Sequence, residues 1–189
     1  MQGIDATFDG IILLGYHAGT TNPEGVRAHT ISSARLADVK LNGRSLSEAG
    51  IAAAVAGHFG VPVIMVSGDD AAVAEVQATL GTIEGAAVKW HYGFHSARTL
   101  TPAATYKLIA EKAAAAVRRL RAREFKPFVL STPVTVDLRF KHYRPAEVLA
   151  YLPSIQRPDA HSVRYLAKTV LEAMQFLSFV EEYNFELEP

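Results

Sequence analysis

The stretch VPVIMVSGDD at residues 61–70 decides the fold class. Its first six residues form an apolar run rich in β-branched side chains, which is typical of a strand buried on both faces of a sheet. The polar Gly68-Asp69-Asp70 that follows indicates the end of this strand and the start of a helix. Strand and helix patterns alternate on both sides of it. We therefore predict an α/β fold, with helices on both faces of a three-layer, mostly parallel sheet.

Upstream of this strand the pattern predicts three further elements. Residues 10–16 contain an apolar run typical of a buried strand, and residues 36–46 contain Asn42-Gly43, the strongest short signal for a hairpin. Residues 47–59 are Ala-rich with a helical apolar period, and Gly60 provides a C-terminal stop. Downstream, we predict helices over residues 69–80, 101–123, 144–152 and 168–183, and strands over residues 86–90, 134–140 and 162–167.

Two prolines divide the predicted elements into two groups. Pro127 and Pro133 punctuate a linker, and the pattern after it indicates a smaller unit of strands and helices. We therefore expect two domains, an α/β core over residues 1–126 and a small C-terminal α+β unit over residues 127–189.

Composition excludes several classes of function. The 189 residues include 49% hydrophobic and 20% charged residues, which is ordinary for a globular protein. Lys plus Arg equals Asp plus Glu at 19 each, so no overall charge favours nucleic acid or an anionic membrane. There is no cysteine, which excludes thiolate metal sites and cysteine nucleophiles. With no long apolar segment and no leader-like N-terminus, the sequence predicts a soluble cytoplasmic protein.

Three residues are candidates for one metal site. His17 follows the first predicted strand, His29 lies in the Gly/Pro-bearing loop after it, and Glu48 lies near a helix start. Imidazole nitrogen and carboxylate oxygen suit zinc where cysteine is absent. Other interpretations stay open: His17 as a histidine bonded to backbone, His29 as a surface residue, and Glu48 as the last residue of a capping box begun by Ser45.

Two other groups of polar residues need an interpretation. Asp69 and Asp70 lie at the same predicted sheet edge as His17, where they either orient a metal-bound histidine or cap the next helix. His91 and His95 have the i, i+4 spacing of helical zinc ligands, but the intervening Gly93 favours packing in a loop. The basic residues near the end of the longest predicted helix indicate a solvated face that complements the helix dipole. No GxxxxGK, GxGxxG or GxSxG motif occurs.

Ordered blocks along the chain resemble the zinc-dependent D-aminopeptidase family of the bacterial dipeptide-transport operon. The resemblance covers essentially the whole chain. The blocks with the most specific residues are FDGIILLGYH (8–17), PEGVRAH (23–29), LNGR (41–44), EAG (48–50), VPV (61–63), SGDD (67–70), AVK (87–89) and LTP (100–102).

The resemblance implies a function and a role for each candidate. The implied activity is that of a zinc aminopeptidase, a hydrolase that releases N-terminal D-amino acids from short peptides with the help of two zinc ions. His17 and Glu48 are similar to zinc ligands of the family, and His29 to its catalytic histidine. The family forms ring-shaped homo-oligomers, so we expect a homo-oligomer with no nucleic-acid or membrane partner.

The resemblance also indicates a difference from the full family pattern. Family members begin with a strand that carries an Asp-x-Glu-Gly motif and supply another histidine, and both precede the point at which this chain aligns. We therefore expect the family's N-terminal metal-binding segment to have no counterpart in this sequence. The alternative function is a non-catalytic remnant that acts as a binding or oligomer-assembly protein.

Overall fold

The computed structural model describes residues 1–183, which divide into two compact units. Unit 1 comprises Met1–Thr30 and Leu46–Val129, and unit 2 comprises Ile31–Ser45 and the described residues from Leu130 onward. The strands are β1 (Ile11–Tyr16), β2 (Leu36–Leu41), β3 (Arg44–Ser45), β4 (Val63–Asp69), β5 (Glu84–Gly93), β6 (Ser96–Thr99), β7 (Val134–Phe140), β8 (Ile155–Gln156) and β9 (Ser162–Ala167). The helices are α1 (Glu48–His58), α2 (Asp70–Leu80), α3 (Pro102–Arg121), α4 (Tyr143–Leu149) and α5 (Val170–Glu182).

Unit 1 is built on a four-stranded sheet in the order β1-β4-β5-β6. The strands β1, β4 and β5 are parallel, and β6 returns antiparallel to β5. Every residue of β4 is buried, as expected for a strand covered on both faces. The predicted α/β fold with a mostly parallel sheet is confirmed.

Helices cover both faces of this sheet. In one core cluster, Leu13 and Val66 pack with α1 and α2 residues such as Ala52 and Val73. In a second cluster, Ile64 and Met65 pack with α3. The small residues of α1 allow close packing, because a Cβ on Gly57 would lie 2.0 Å from the carbonyl oxygen of Phe128.

Unit 2 is built on a five-stranded antiparallel sheet in the order β3-β2-β7-β9-β8. Val134, Val136, Leu138 and Phe140 of β7 are buried and alternate with less buried residues, which gives the strand one core face. The helices α4 and α5 pack against β7 and β9.

The predicted hairpin turn at Asn42-Gly43 is confirmed. Both residues have positive φ, 51° and 79°, as a two-residue type I′ turn requires. The Asn42 side chain also donates to the Ser131 carbonyl oxygen (2.8 Å) and accepts from the Thr135 amide (2.8 Å). These bonds fix the turn beside the start of β7.

The hairpin belongs to a different unit from the one that we expected. Residues 31–45 belong to unit 2, where β2 pairs with β7, whereas the division at residues 126 and 127 would leave them in the first domain. Hydrophobic periodicity identifies strands but not their partners, so it could not predict that β2 pairs with β7. Among residues 1–183, no helix combines the length and the apolar character needed to cross a bilayer.

Candidate metal centre

The candidate site lies in unit 1, where β1 and β4 end side by side. Tyr16, the last residue of β1, is paired with Gly68 of β4. A Cβ on Gly68 would lie only 2.1 Å from the Tyr16 carbonyl oxygen, so the close approach of the two strands requires glycine here. His17 follows directly after this contact. Its position at a carboxyl end of a parallel strand agrees with the usual place of ligand sites in open α/β sheets.

The structure brings His17, His29 and Glu48 together. Glu48 Oε1 lies 3.7 Å from His17 Nε2 and 3.6 Å from His29 Nε2. The two imidazole rings are stacked, with centroids 3.9 Å apart and an angle of 14° between their planes. Each residue offers one ligand atom, and the three atoms lie within 4.8 Å of one another.

Backbone carbonyls determine which nitrogen of each histidine carries a proton. His17 Nδ1 lies 3.1 Å from the Ala18 carbonyl oxygen, and His29 Nδ1 lies 2.7 Å from that of Arg27. A carbonyl oxygen only accepts hydrogen bonds, so both Nδ1 atoms are the donors. In the neutral rings, Nε2 then carries a lone pair, and both lone pairs are available near Glu48.

This donor set fits a cation. Two imidazole lone pairs and a carboxylate oxygen repel one another unless a proton or a cation lies among them. Protonation of both rings would stack two positive charges 3.9 Å apart, whereas one cation would satisfy all three donors. Nitrogen and oxygen donors of this kind are those of cysteine-free zinc sites, in which three protein ligands leave a position open.

Tyr16 lies beside this centre and is half-buried. Burial raises the pKa of its hydroxyl above the ordinary value, and the negative charge of Glu48 raises that pKa further. Tyr16 therefore stays a neutral phenol at physiological pH.

Two carboxylates of the α2 region hold the loop that carries His17 and His29. Asp69 is buried, and its carboxylate accepts from the Ala72 amide (2.6 Å) and from the Val26 amide (2.7 Å). Glu75 accepts from the Gly19 amide (3.1 Å) and from Asn22 Nδ2 (3.2 Å). The loop is thus tied to α2 at both ends of the segment between the histidines.

Small buried groups complete the loop. The Ala18 carbonyl oxygen accepts from His17 Nδ1 and also from the His29 amide (3.1 Å), so one carbonyl connects the two histidines. Gly25 packs between Ala18 and Ala28, because a Cβ there would lie within 3 Å of both methyl groups. Close packing of this kind restricts the loop to one arrangement.

The capping-box interpretation of Glu48 is wrong. Helix α1 begins at Glu48 with Ser47 at the N-cap, so Glu48 occupies the first helical position rather than the third. Ser45 pairs with Lys40 in the hairpin. Glu48 therefore projects from the first turn, where its charge also favours the helix dipole.

The other sequence candidates have structural roles. Asp69 caps α2, and its two oxygens accept from backbone amides rather than from a histidine. His91 lies in β5 and His95 in the turn before β6, so a helical zinc pair is excluded. The expected loop is found at His95, whereas His91 belongs to a strand. In the basic segment of α3, Lys112 and Arg119 form ion pairs with Glu84. Glu75 was missed, because no local motif marks a carboxylate that acts on a distant loop.

Comparisons with known proteins identify the family to which this chain is similar. A family model described as D-aminopeptidase matches residues 1–179. A D-aminopeptidase of Bacillus subtilis (strain 168) is 32% identical over 183 residues, which are 96% of this chain and 65% of that protein. The solved structure of the Zn-dependent D-aminopeptidase DppA from Bacillus subtilis, a self-compartmentalizing protease, matches with a TM-score of 0.89 and 32% identity. That match covers 95% of this chain and 65% of the other.

The chain thus spans 65% of the length of both relatives. The match to the family model nevertheless extends over nearly the whole sequence and includes all three residues of the candidate centre. The chain belongs to the D-aminopeptidase family.

Proposed function

We propose that this chain serves in the zinc-dependent hydrolysis of short peptides, from which it releases N-terminal D-amino acids. The observation that carries the proposal is the convergence of His17, His29 and Glu48. The names of the relatives supply the substrate class and the metal, since both are D-aminopeptidases and one is described as Zn-dependent.

In this proposal, His17 Nε2 and Glu48 Oε1 hold zinc. When bound, zinc would polarise the scissile carbonyl and lower the pKa of a water molecule. The backbone carbonyl of Ala18 keeps the His17 lone pair on Nε2. The resemblance implies two zinc ions, and the described residues bring together donors for one such centre.

His29 is the proposed catalytic residue. Peptide hydrolysis needs a group that takes a proton from water and returns it to the leaving amine. His29 Nε2 carries a lone pair because Nδ1 donates to the Arg27 carbonyl oxygen. The side chain is 29% exposed, so substrate and water can reach it. Its Nε2 can therefore accept the proton and release it again during one turnover.

The partners and the location are part of the same proposal. DppA is described as self-compartmentalizing, which supports a homo-oligomer for this chain, and we propose the ring of the family as its form. Short peptides with an N-terminal D-residue are the proposed substrates. The cytoplasm is the proposed location, in agreement with the absence of cysteine from the sequence.

Stereospecific hydrolysis tests the proposal. The purified 189-residue chain is dialysed, supplied with Zn²⁺ and assayed for release of D-alanine from D-Ala-D-Ala, with L-Ala-L-Ala as the mirror-image control. We expect hydrolysis of the D,D-dipeptide that a chelator abolishes and Zn²⁺ restores. His17→Ala and Glu48→Ala should each remove it. Equal hydrolysis of both dipeptides, or no turnover in the presence of Zn²⁺, would overturn the proposal.

A further inference from the structure

Arg27 connects His29 to the turn between β5 and β6. We propose that Arg27, Phe94 and His95 form a clamp that positions His29 and keeps its lone pair on Nε2. The three residues are called the Arg27 clamp below. The proposal deepens the function proposed above and rests on it, because it concerns the orientation of the proposed catalytic histidine.

The backbone of Arg27 is the first part of the clamp. Its carbonyl oxygen accepts from His29 Nδ1 at 2.7 Å, and its amide donates to the Phe94 carbonyl oxygen at 3.0 Å. Arg27 has φ = 56°, a left-handed conformation that is uncommon for a residue with a side chain. Such a conformation persists where surrounding contacts hold it, and it points to a functional constraint. The amide bond to Phe94 is one of those contacts.

The side chain of Arg27 is the second part. Its guanidinium lies over the Phe94 ring, 5.3 Å from the centroid, and Nη1 lies 3.0 Å from His95 Nδ1. Because a guanidinium only donates, His95 Nδ1 is the acceptor. The Phe94 and His95 rings also contact each other edge to face, with centroids 4.8 Å apart. Arg27 is therefore fixed at its amide, its cationic head and its carbonyl.

The comparison with His17 shows what the clamp adds. The carbonyl that orients His17 belongs to the adjacent Ala18, which is fully buried. The carbonyl that orients His29 belongs to an exposed residue in a strained conformation. Packing of the loop is sufficient to hold the carbonyl oxygen that orients His17. The carbonyl oxygen that orients His29 is instead held by the contacts of Arg27 with Phe94 and His95.

Histidine tautomers measured by NMR test the clamp. The full-length chain is labelled with ¹⁵N and ¹³C in the histidine rings and studied without added metal, and signals are assigned with His17→Gln and His29→Gln variants. In the unmodified chain, both rings should be Nδ1–H tautomers. In His95→Phe, which keeps an aromatic ring but loses the acceptor, we expect His29 to become a mixture of tautomers while His17 stays unchanged. His95→Gln keeps an acceptor and should restore the original signal.

Arg98 provides a matched control on the same hairpin. Its guanidinium stacks on Trp90, 4.5 Å from the ring centroid. Arg27→Met should alter the His29 tautomer, whereas Arg98→Met should not. A His29 signal that is unchanged in both His95→Phe and Arg27→Met would overturn the proposal, and so would equal changes at His17 and His29.

The result is independent of whether the proposed function holds. If the unmodified chain fails to hydrolyse D-Ala-D-Ala, the proposed function fails, but the tautomer of His29 still reports on the clamp. If the chain is active, His95→Phe should lower kcat about threefold to tenfold with KM and bound zinc unchanged, less than the ~10- to 100-fold typical when a direct partner of a metal ligand is removed. A loss of zinc together with activity would show general damage to the site and contradict a positioning role.

Discussion

Replacement of Asp69 by alanine should destabilise unit 1 and release the loop that carries the two histidines. The Asp69 carboxylate accepts two backbone amide hydrogens, one from Ala72 in the first turn of α2 and one from Val26 in the loop. Water cannot easily take the place of the carboxylate in these bonds, because Asp69 is only 1% exposed. The substitution therefore removes an N-cap and leaves a loop amide without its acceptor.

The expected magnitude follows from these two bonds. Loss of an N-cap costs about 1 kcal/mol, and a buried amide left without a partner costs about 1–3 kcal/mol. We expect Asp69→Ala to lower the free energy of unfolding by about 2–4 kcal/mol. Asp69→Asn keeps an oxygen for the cap but presents an amide group to one of the two donors. Its cost should be about 1–3 kcal/mol.

Urea unfolding at one fixed protein concentration, followed by circular dichroism, measures these costs. Thr101→Ala is the matched control, because Thr101 caps α3, a different helix, by accepting from the Ala104 amide. It should cost about 1 kcal/mol and leave zinc binding unchanged. The Asp69 variants should in addition weaken zinc binding, measured by competition with a chromophoric chelator. An Asp69→Ala cost no larger than that of Thr101→Ala, with normal zinc affinity, would refute the reasoning.

Three further predictions concern other contacts within unit 1. Gly68→Ala should lower the free energy of unfolding by about 3 kcal/mol, since the new Cβ would meet the Tyr16 carbonyl oxygen at 2.1 Å; an unchanged urea midpoint would contradict this. Arg119 lowers the pKa of Glu84, with Lys112 adding to the effect. This interaction therefore stabilises the fold at pH values above the ordinary carboxyl pKa, and the stabilisation is lost as the pH falls through the lowered pKa of Glu84. Arg119→Met should therefore destabilise the chain at pH 7 and much less once the pH falls below the lowered pKa of Glu84, and a pH-independent difference in urea midpoint would exclude this. His29→Ala should retain bound zinc but lower D-Ala-D-Ala turnover about 100- to 10,000-fold; loss of zinc in elemental analysis would instead make His29 a ligand.

The fold of unit 1 could be predicted because its elements are set by local patterns. The apolar run at residues 61–66 indicates a buried strand, and Thr101-Pro102 marks the start of α3 with an N-cap and a proline in the first turn. Each of these signals depends on neighbours in sequence. The hairpin turn was equally clear, but the partner of its first strand was not. Pairing between β2 and β7 joins segments about 100 residues apart, and no local pattern encodes it.

The candidate site was less predictable from physical patterns than the fold. Each of His17, His29 and Glu48 has an ordinary alternative role. Their positions made them candidates for one metal site, but only the resemblance to a family favoured that interpretation over the alternatives. The structure removes one alternative, because α1 begins at Glu48 and the capping box does not form. The supporting carboxylate of Glu75 and the clamp at Arg27 depend on contacts across 56 and 68 residues, respectively. Such contacts appear only when the chain is folded.

The zinc content of the purified chain tests the central claim most directly. Elemental analysis after loading with Zn²⁺ and exhaustive dialysis should find about one zinc per chain, held by His17 and Glu48. His17→Ala and Glu48→Ala should each lose it, whereas His58→Ala, a substitution at the opposite end of α1 from Glu48, should keep it. Absence of zinc from the unmodified chain, or equal zinc in all four proteins, would contradict the account.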